Sequence, residues 1–178
     1  MRQVHRFSVL ACWFIFLGAD AGAAHPQGYG RVSMRGSIID TACAIDTQSR
    51  DQTVDMGATP TGVIARDGHG AARSFTIRLV NCRLAQPDER GAGWRDVRAT
   101  FEGLNHNGLF GLNGNTRGVA LELTDRHGNI ARPGEPLPTG ELSAGNQQLD
   151  YTLRLVGDRQ VLRAGDFRTI LRFRMEYN

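Results

Sequence analysis

The residues able to do chemistry in this chain are few and scattered. His25, His69, His106 and His127 sit in Gly- or Pro-rich surroundings, and none stands at a ligand spacing such as H-E-x-x-H, where two imidazoles share one helix face and one metal ion. Ser33, Ser37, Ser49, Ser74 and Ser143 lack the G-x-S-x-G elbow that exposes a nucleophile. The run "GLFGLNGNTRG" is glycine-rich but has no strand-to-helix context, so it does not read as a phosphate cradle. Asp125, in "TDRHGN", reads as a carboxylate that forms a turn. No catalytic residue, metal site, cofactor or small-molecule substrate is expected.

Two cysteines remain to be placed, and the compartment decides how to read them. The opening "MRQVHRFSVLACWFIFLGADAGAA" has Arg2 and Arg6, an apolar run from Phe7 to Gly18, and Ala21 and Ala23 in an A-x-A arrangement. This is the pattern of a secretory signal peptide, residues 1–23, with cleavage after Ala23 or Ala24, and the run is too short to span a bilayer. Cys12 would leave with it. Cys43 and Cys82 then read as one disulfide in an oxidising compartment. A structural metal would need more ligands than these two thiols supply.

Charge excludes a further class. The chain holds 21 cations, all arginine, against 18 acids; without Arg2, Arg6 and Asp20 the balance is 19 to 17. Arginines such as Arg172 and Arg174 alternate along apolar segments and form no basic stripe with aromatics, so nucleic acid is not an expected partner.

The elements that must position whatever site exists are strands. "RVSMRGSIID", "SFTIRLVNC", "DVRATFEG", "GVALELTD", "LDYTLRLV" and the terminal Arg168 to Tyr177 alternate apolar with polar residues, the period of a half-buried strand. No window shows the i, i+3, i+4, i+7 pattern of a helix. Between the strands lie "DGHG", "NHNG", "NGN" and "RHGN", whose Gly and Asn accept the positive φ of tight turns. "RPGEPLPTGE", with three prolines, is expected as a surface loop. The class is all-β, an antiparallel sandwich. Ending on an alternating strand raises a question of pairing, because an apolar-faced strand needs a neighbour.

The parts fall in an order that resembles the pilins of the chaperone-usher pathway, the fimbrial subunits of Gram-negative bacteria. "MRGSIIDTAC" is similar to that family's hydrophobic-x-Gly-x-apolar-apolar-(Asp or Asn)-x-x-Cys segment; Cys43 and Cys82 match its single disulfide; Gly165 stands fourteenth from the end, where pilins place a glycine; and Tyr177 is penultimate behind an alternating run. The resemblance covers the whole chain after residue 23.

It implies an incomplete immunoglobulin-like β-sandwich lacking its final strand and completed in trans by donor-strand complementation. It implies an N-terminal donor extension, 24–38, followed by a pilin domain, 39–178. Gly30, Val32, Met34, Gly36 and Ile38 would form the donor face, with Arg31 and Arg35 in solvent. Gly165, Leu171, Phe173, Met175 and Tyr177 would belong to the acceptor groove, whose other wall would be the first strand of the domain. Basic residues of a periplasmic chaperone would grip the carboxylate of Asn178. The implied partners are that chaperone, an outer-membrane usher and neighbouring pilus subunits, in a structural, non-enzymatic role that supports adhesion at the cell surface. Two other readings stay open: a complete secreted sandwich that binds glycan or protein through its Asn/Gly-rich loops, and a periplasmic enzyme with a metal held by His69, His106 or His127. The first would pair the final strand in cis.

Overall fold

A computed structural model describes residues 31–36, 41–84 and 94–178. The expected signal peptide, and Gly30 and Ile38 of the expected donor face, lie outside the described residues. The chain divides into two units, Met1–Ile38 and Ile39–Asn178. In the first, residues 31–36 have no regular secondary structure and are exposed, Val32 at 88% and Met34 at 93%.

The second unit is built on strands. In chain order its elements are β1 (Ala44–Ile45), α1 (Thr47–Arg50), α2 (Thr61–Asp67), β2 (Arg73–Cys82), β3 (Asp96–Glu102), β4 (Asn105–His106), β5 (Leu109–Phe110), β6 (Asn113–Gly114), β7 (Val119–Asp125), β8 (Gly140–Glu141), β9 (Gly145–Gly157), β10 (Phe167–Arg168) and β11 (Arg172–Tyr177). One sheet has six strands in the order β1-β2-β9-β7-β5-β4, a second has three, β11-β3-β8, and β10 pairs with β6. Every pairing is antiparallel.

Alternation becomes a core because successive side chains leave a strand on opposite faces. Ile77 and Leu79 of β2, Leu121 and Leu123 of β7, Tyr151, Leu153 and Leu155 of β9, and Val97, Ala99 and Phe101 of β3 are all buried. Phe101 from the three-stranded sheet meets Tyr151 of the other edge to face at 4.9 Å, and Tyr151 stacks on Phe75 at 5.3 Å. The Cys43–Cys82 disulfide joins the residue before β1 to the end of β2. On the chain-entropy account a bridge of this span contributes roughly 4 kcal/mol.

Local departures from the sequence expectation have local causes. The two helices are too short to show a helical stripe: α2 buries only Ile64, and Gly68, at φ +79, ends it by donating its N–H to the Ile64 carbonyl. The "DGHG" turn is thus a left-handed helix cap. "NHNG" makes a two-residue hairpin loop between β4 and β5, with Asn107 at φ +53 and Gly108 at φ +82, the signs a type I′ turn requires. "RPGEPLPTGE" is more than a surface loop. Gly134 and Leu137 donate to the carbonyls of Phe101 and Ala99, and β8 pairs with β3, so the segment covers the second edge of β3 and buries Leu137. Prolines are tolerated there because an outermost strand can leave ladder positions unbonded. The terminal strand is also shorter than its sequence pattern. Thr169–Leu171 interrupt it between β10 and β11.

Candidate acceptor groove

β11 is an outermost strand. Through Arg172↔Glu102 to Tyr177↔Val97 it pairs with β3 along one edge, and among the described residues no strand pairs with its other edge. Beside that free edge lies an open groove of about 1510 Å³. Its floor is apolar, from Phe75, Phe101, Val119, Leu121, Leu153 and Leu155. One wall is residues 162–171 with Phe173; the opposite wall is the stretch 49–61, from the end of α1 to the start of α2. Residues 52–60 make no β-ladder with any described residue. The groove therefore combines an apolar floor with the free edge of β11 and a facing stretch, 52–60, that belongs to no ladder, the features that invite an added strand.

Of the residues singled out in the sequence, Gly165, Leu171 and Phe173 line this groove. Met175 and Tyr177 continue the same face of β11, half-buried against the core, and lie outside the lining. The Tyr177 hydroxyl is buried with no hydrogen-bond partner, and burial raises its pKa. Asn178 extends the ladder: its carbonyl oxygen accepts from the N–H of Arg95 at 2.7 Å and of Asp96 at 2.9 Å, while its own N–H donates to the Asp96 carbonyl. The chain terminus is thus held in cis by two backbone donors, contacts the sequence did not suggest.

Gly165 has a steric reason to be glycine. A Cβ there would sit 2.7 Å from the carbonyl carbon of Asn115 and from the nitrogen of Thr116, backbone atoms that cannot rotate aside. The wall assignment needs one correction. Ala44 and Ile45 of β1, the first strand, do not line the groove; β1 pairs with β2 instead, and α1 then turns the chain so that 49–61 faces β11. Val54 and Met56, half-buried between exposed neighbours, are the inward residues of that wall. Their alternation in "TVDMG" was a signal, but two apolar residues on either side of Asp55 are too short a run to separate from loop.

The histidines are not brought together. His69 lies just after α2 beside the Gly70 carbonyl, His106 in β4 pairs with Asp158 at 2.7 Å, and His127 is exposed in the turn where Asp125 accepts from the N–H groups of His127 and Asn129. No group of three or more potential metal ligands forms among the described residues.

A β-sandwich whose last strand borders an open groove is a fold class of its own, and the comparisons with known proteins identify it. The model of the family described as fimbrial protein matches residues 32–178. The chain is 33% identical over 158 residues to the PAP fimbrial minor pilin protein of Escherichia coli, covering 88% of this chain and 81% of that one. It is 30% identical to the Fimbria A protein of Serratia marcescens, covering 95% and 96% of the two chains. Among solved structures, it resembles the P pilus rod subunit PapA with a TM-score of 0.69 at 25% identity, over 78% of this chain and 100% of that one. A chaperone-usher pilus structure matches with a TM-score of 0.71 at 26% identity, over 88% and 99%. The chain belongs to the fimbrial protein family, whose members are structural pilins. Its fold is the incomplete immunoglobulin-like sandwich of that family.

Proposed function

We propose that this chain is a structural, non-enzymatic subunit of a chaperone-usher pilus, exported and assembled at the cell surface, that polymerises by exchanging donor strands. The observation that carries the reading is the open groove beside the free edge of β11. Domain 39–178 is the acceptor and residues 24–38 the donor extension, after loss of the signal peptide 1–23. Gly30, Val32, Met34, Gly36 and Ile38 enter a neighbour's groove, while Leu171 and Phe173, with Gly165 behind them, receive the strand of another subunit. Met175 and Tyr177 extend the receiving edge. Before assembly a periplasmic chaperone lends the missing strand, contacts the terminus at Asn178, and delivers the subunit to the outer-membrane usher.

The physical logic is β-strand addition. The borrowed strand satisfies the ladder positions of β11 and covers Phe75, Val119, Leu171 and Phe173, which the chain alone leaves half-buried. Each aliphatic side chain it buries contributes about 1.5–3 kcal/mol. Gly36 belongs where the groove leaves no room for a side chain. The exposure of Val32 and Met34 is what a segment made for insertion into another molecule requires.

The test is complementation. Exported chain freed of chaperone should self-associate or unfold at low temperature, and the peptide Gly30–Asp40 should raise its unfolding temperature and hold it monomeric. A stable monomer indifferent to the peptide overturns the proposal. Gly36→Arg should leave the acceptor domain folded, as judged by its own response to peptide, yet abolish donation. Normal incorporation of Gly36→Arg into fibres would remove that residue from the donor face.

A further inference from the structure

The groove wall formed by residues 162–171 is held in two ways. Leu162, Phe167 and Leu171 pack partly buried against the core, while Ile170 is exposed at 78%. Backbone contact supplies the rest. Asn115 donates to the Asp166 carbonyl, Arg117 and Arg163 exchange both backbone hydrogen bonds, the Thr116 hydroxyl donates to the Arg163 carbonyl, and β10 pairs with β6 through Phe167↔Gly114.

This seam closes because glycines on both sides bring no Cβ to it. A Cβ on Gly114 would overlap the Asp166 carbonyl oxygen, and one on Gly118 would lie 2.8 Å from the Val161 carbonyl oxygen and 2.9 Å from the Leu162 Cα. Both obstacles are backbone, so neither can swing away. Just before the wall, Asp158 is pinned: its carboxylate, 6% exposed, meets the His106 ring at 2.7 Å and accepts the Gln160 N–H at 2.9 Å.

We infer that Gly114 and Gly118 are positioning residues of the acceptor groove, setting the distance of wall 162–168 from the floor, with the His106–Asp158 pair fixing where the wall begins. The run "GLFGLNGNTRG" thereby acquires a role that its glycines do not suggest in sequence. A side chain at either position levers the wall out of place, so the groove fits a strand badly while the chain's own arm still donates normally. The inference rests on the donor-strand reading above.

The experiment compares exported wild-type chain with Gly114→Ala, Gly118→Ala and Gly134→Ala. Gly134 is the control matched to Gly118: its φ of +80 lies beside the +78 of Gly118 and carries similar backbone strain, but a Cβ there meets nothing within 4 Å. Two quantities are read, affinity for the Gly30–Asp40 peptide and donation of each variant's arm to wild-type acceptor. The seam variants should bind peptide about tenfold or more weaker than Gly134→Ala, a difference of about 1.4 kcal/mol, with donation unchanged. Equal binding by the seam variants and Gly134→Ala overturns the inference. If wild type binds no peptide, it is the donor-strand reading that fails. Should neither seam variant accumulate, His106→Ala decides: weaker peptide binding with normal donation supports the inference, and wild-type binding overturns it.

Discussion

β9 and β11 carry the same alternating pattern and reach opposite ends. In β9, "LDYTLRLV", strands flank both edges, and Tyr151, Leu153 and Leu155 are buried. In β11, "RFRMEY", one edge pairs with β3 and the other opens on the groove, and Phe173, Met175 and Tyr177 are only half-buried. Side-chain period fixes which face of a strand turns inward. It carries no information on how many neighbours the strand has, and it is the neighbours that complete burial. The difference between these two strands is the difference between a finished sheet and one that awaits a strand.

Substitution should separate the two. Phe101, 1% exposed, sits where both regions meet, edge to face with Tyr151 and 6.3 Å from Phe173. Phe101→Ala should cost about 3–5 kcal/mol already without a donor peptide, because strands in place bury it. Chemical denaturation with and without Gly30–Asp40 measures the loss in each state. Phe173→Ala tests the open side and should behave differently. Alone, the variant forgoes only part of a buried phenyl group and should lose about 1–2 kcal/mol. With peptide bound the ring is more fully enclosed, so the loss should grow toward the cost of a core position. A loss from Phe173→Ala that is the same in both states would mean that the borrowed strand does not cover it.

How far the sequence reveals this architecture follows from the same distinction. The long strands β2, β3, β7 and β9 were legible because their pattern comes from strand geometry, and the hairpin "NHNG" because only certain residues accept φ > 0. Leu171 and Phe173 were legible as one face of a strand. The second wall was not: residues 49–61 have no ladder, so nothing imposes a period along them beyond Val54 and Met56. Nor were α1 and α2, one or two turns long and fixed by Ser49 and Ile64 packing on the sheet rather than by a stripe of their own. Gly114 read as a turn residue and Gly118 as the start of a strand, since the backbone they admit comes from a segment more than forty residues later. Contacts between backbones leave no mark on side-chain pattern.

The smallest expected effect concerns the closed side alone. Burial, and after it the Asp125 and Asp150 carboxylates, hold the Tyr151 phenol well above its ordinary value of 10.0. The unfolded chain would lose that proton near its ordinary value, while the folded one keeps it. The stability Tyr151 provides is therefore fully present below about pH 10 and falls as pH rises from there toward the folded value, by at most about 1.4 kcal/mol per pH unit. Tyr151→Phe keeps the ring against Phe75 and Phe101 but has nothing to ionise. Denaturation midpoints of the two chains should run parallel up to about pH 9 and converge or cross above pH 10, the wild type falling faster. Because Tyr151 is covered by strands already in place, bound donor peptide should leave the pH at which the curves part unchanged. A shift of that pH on adding peptide would mean that the closed side senses the open one.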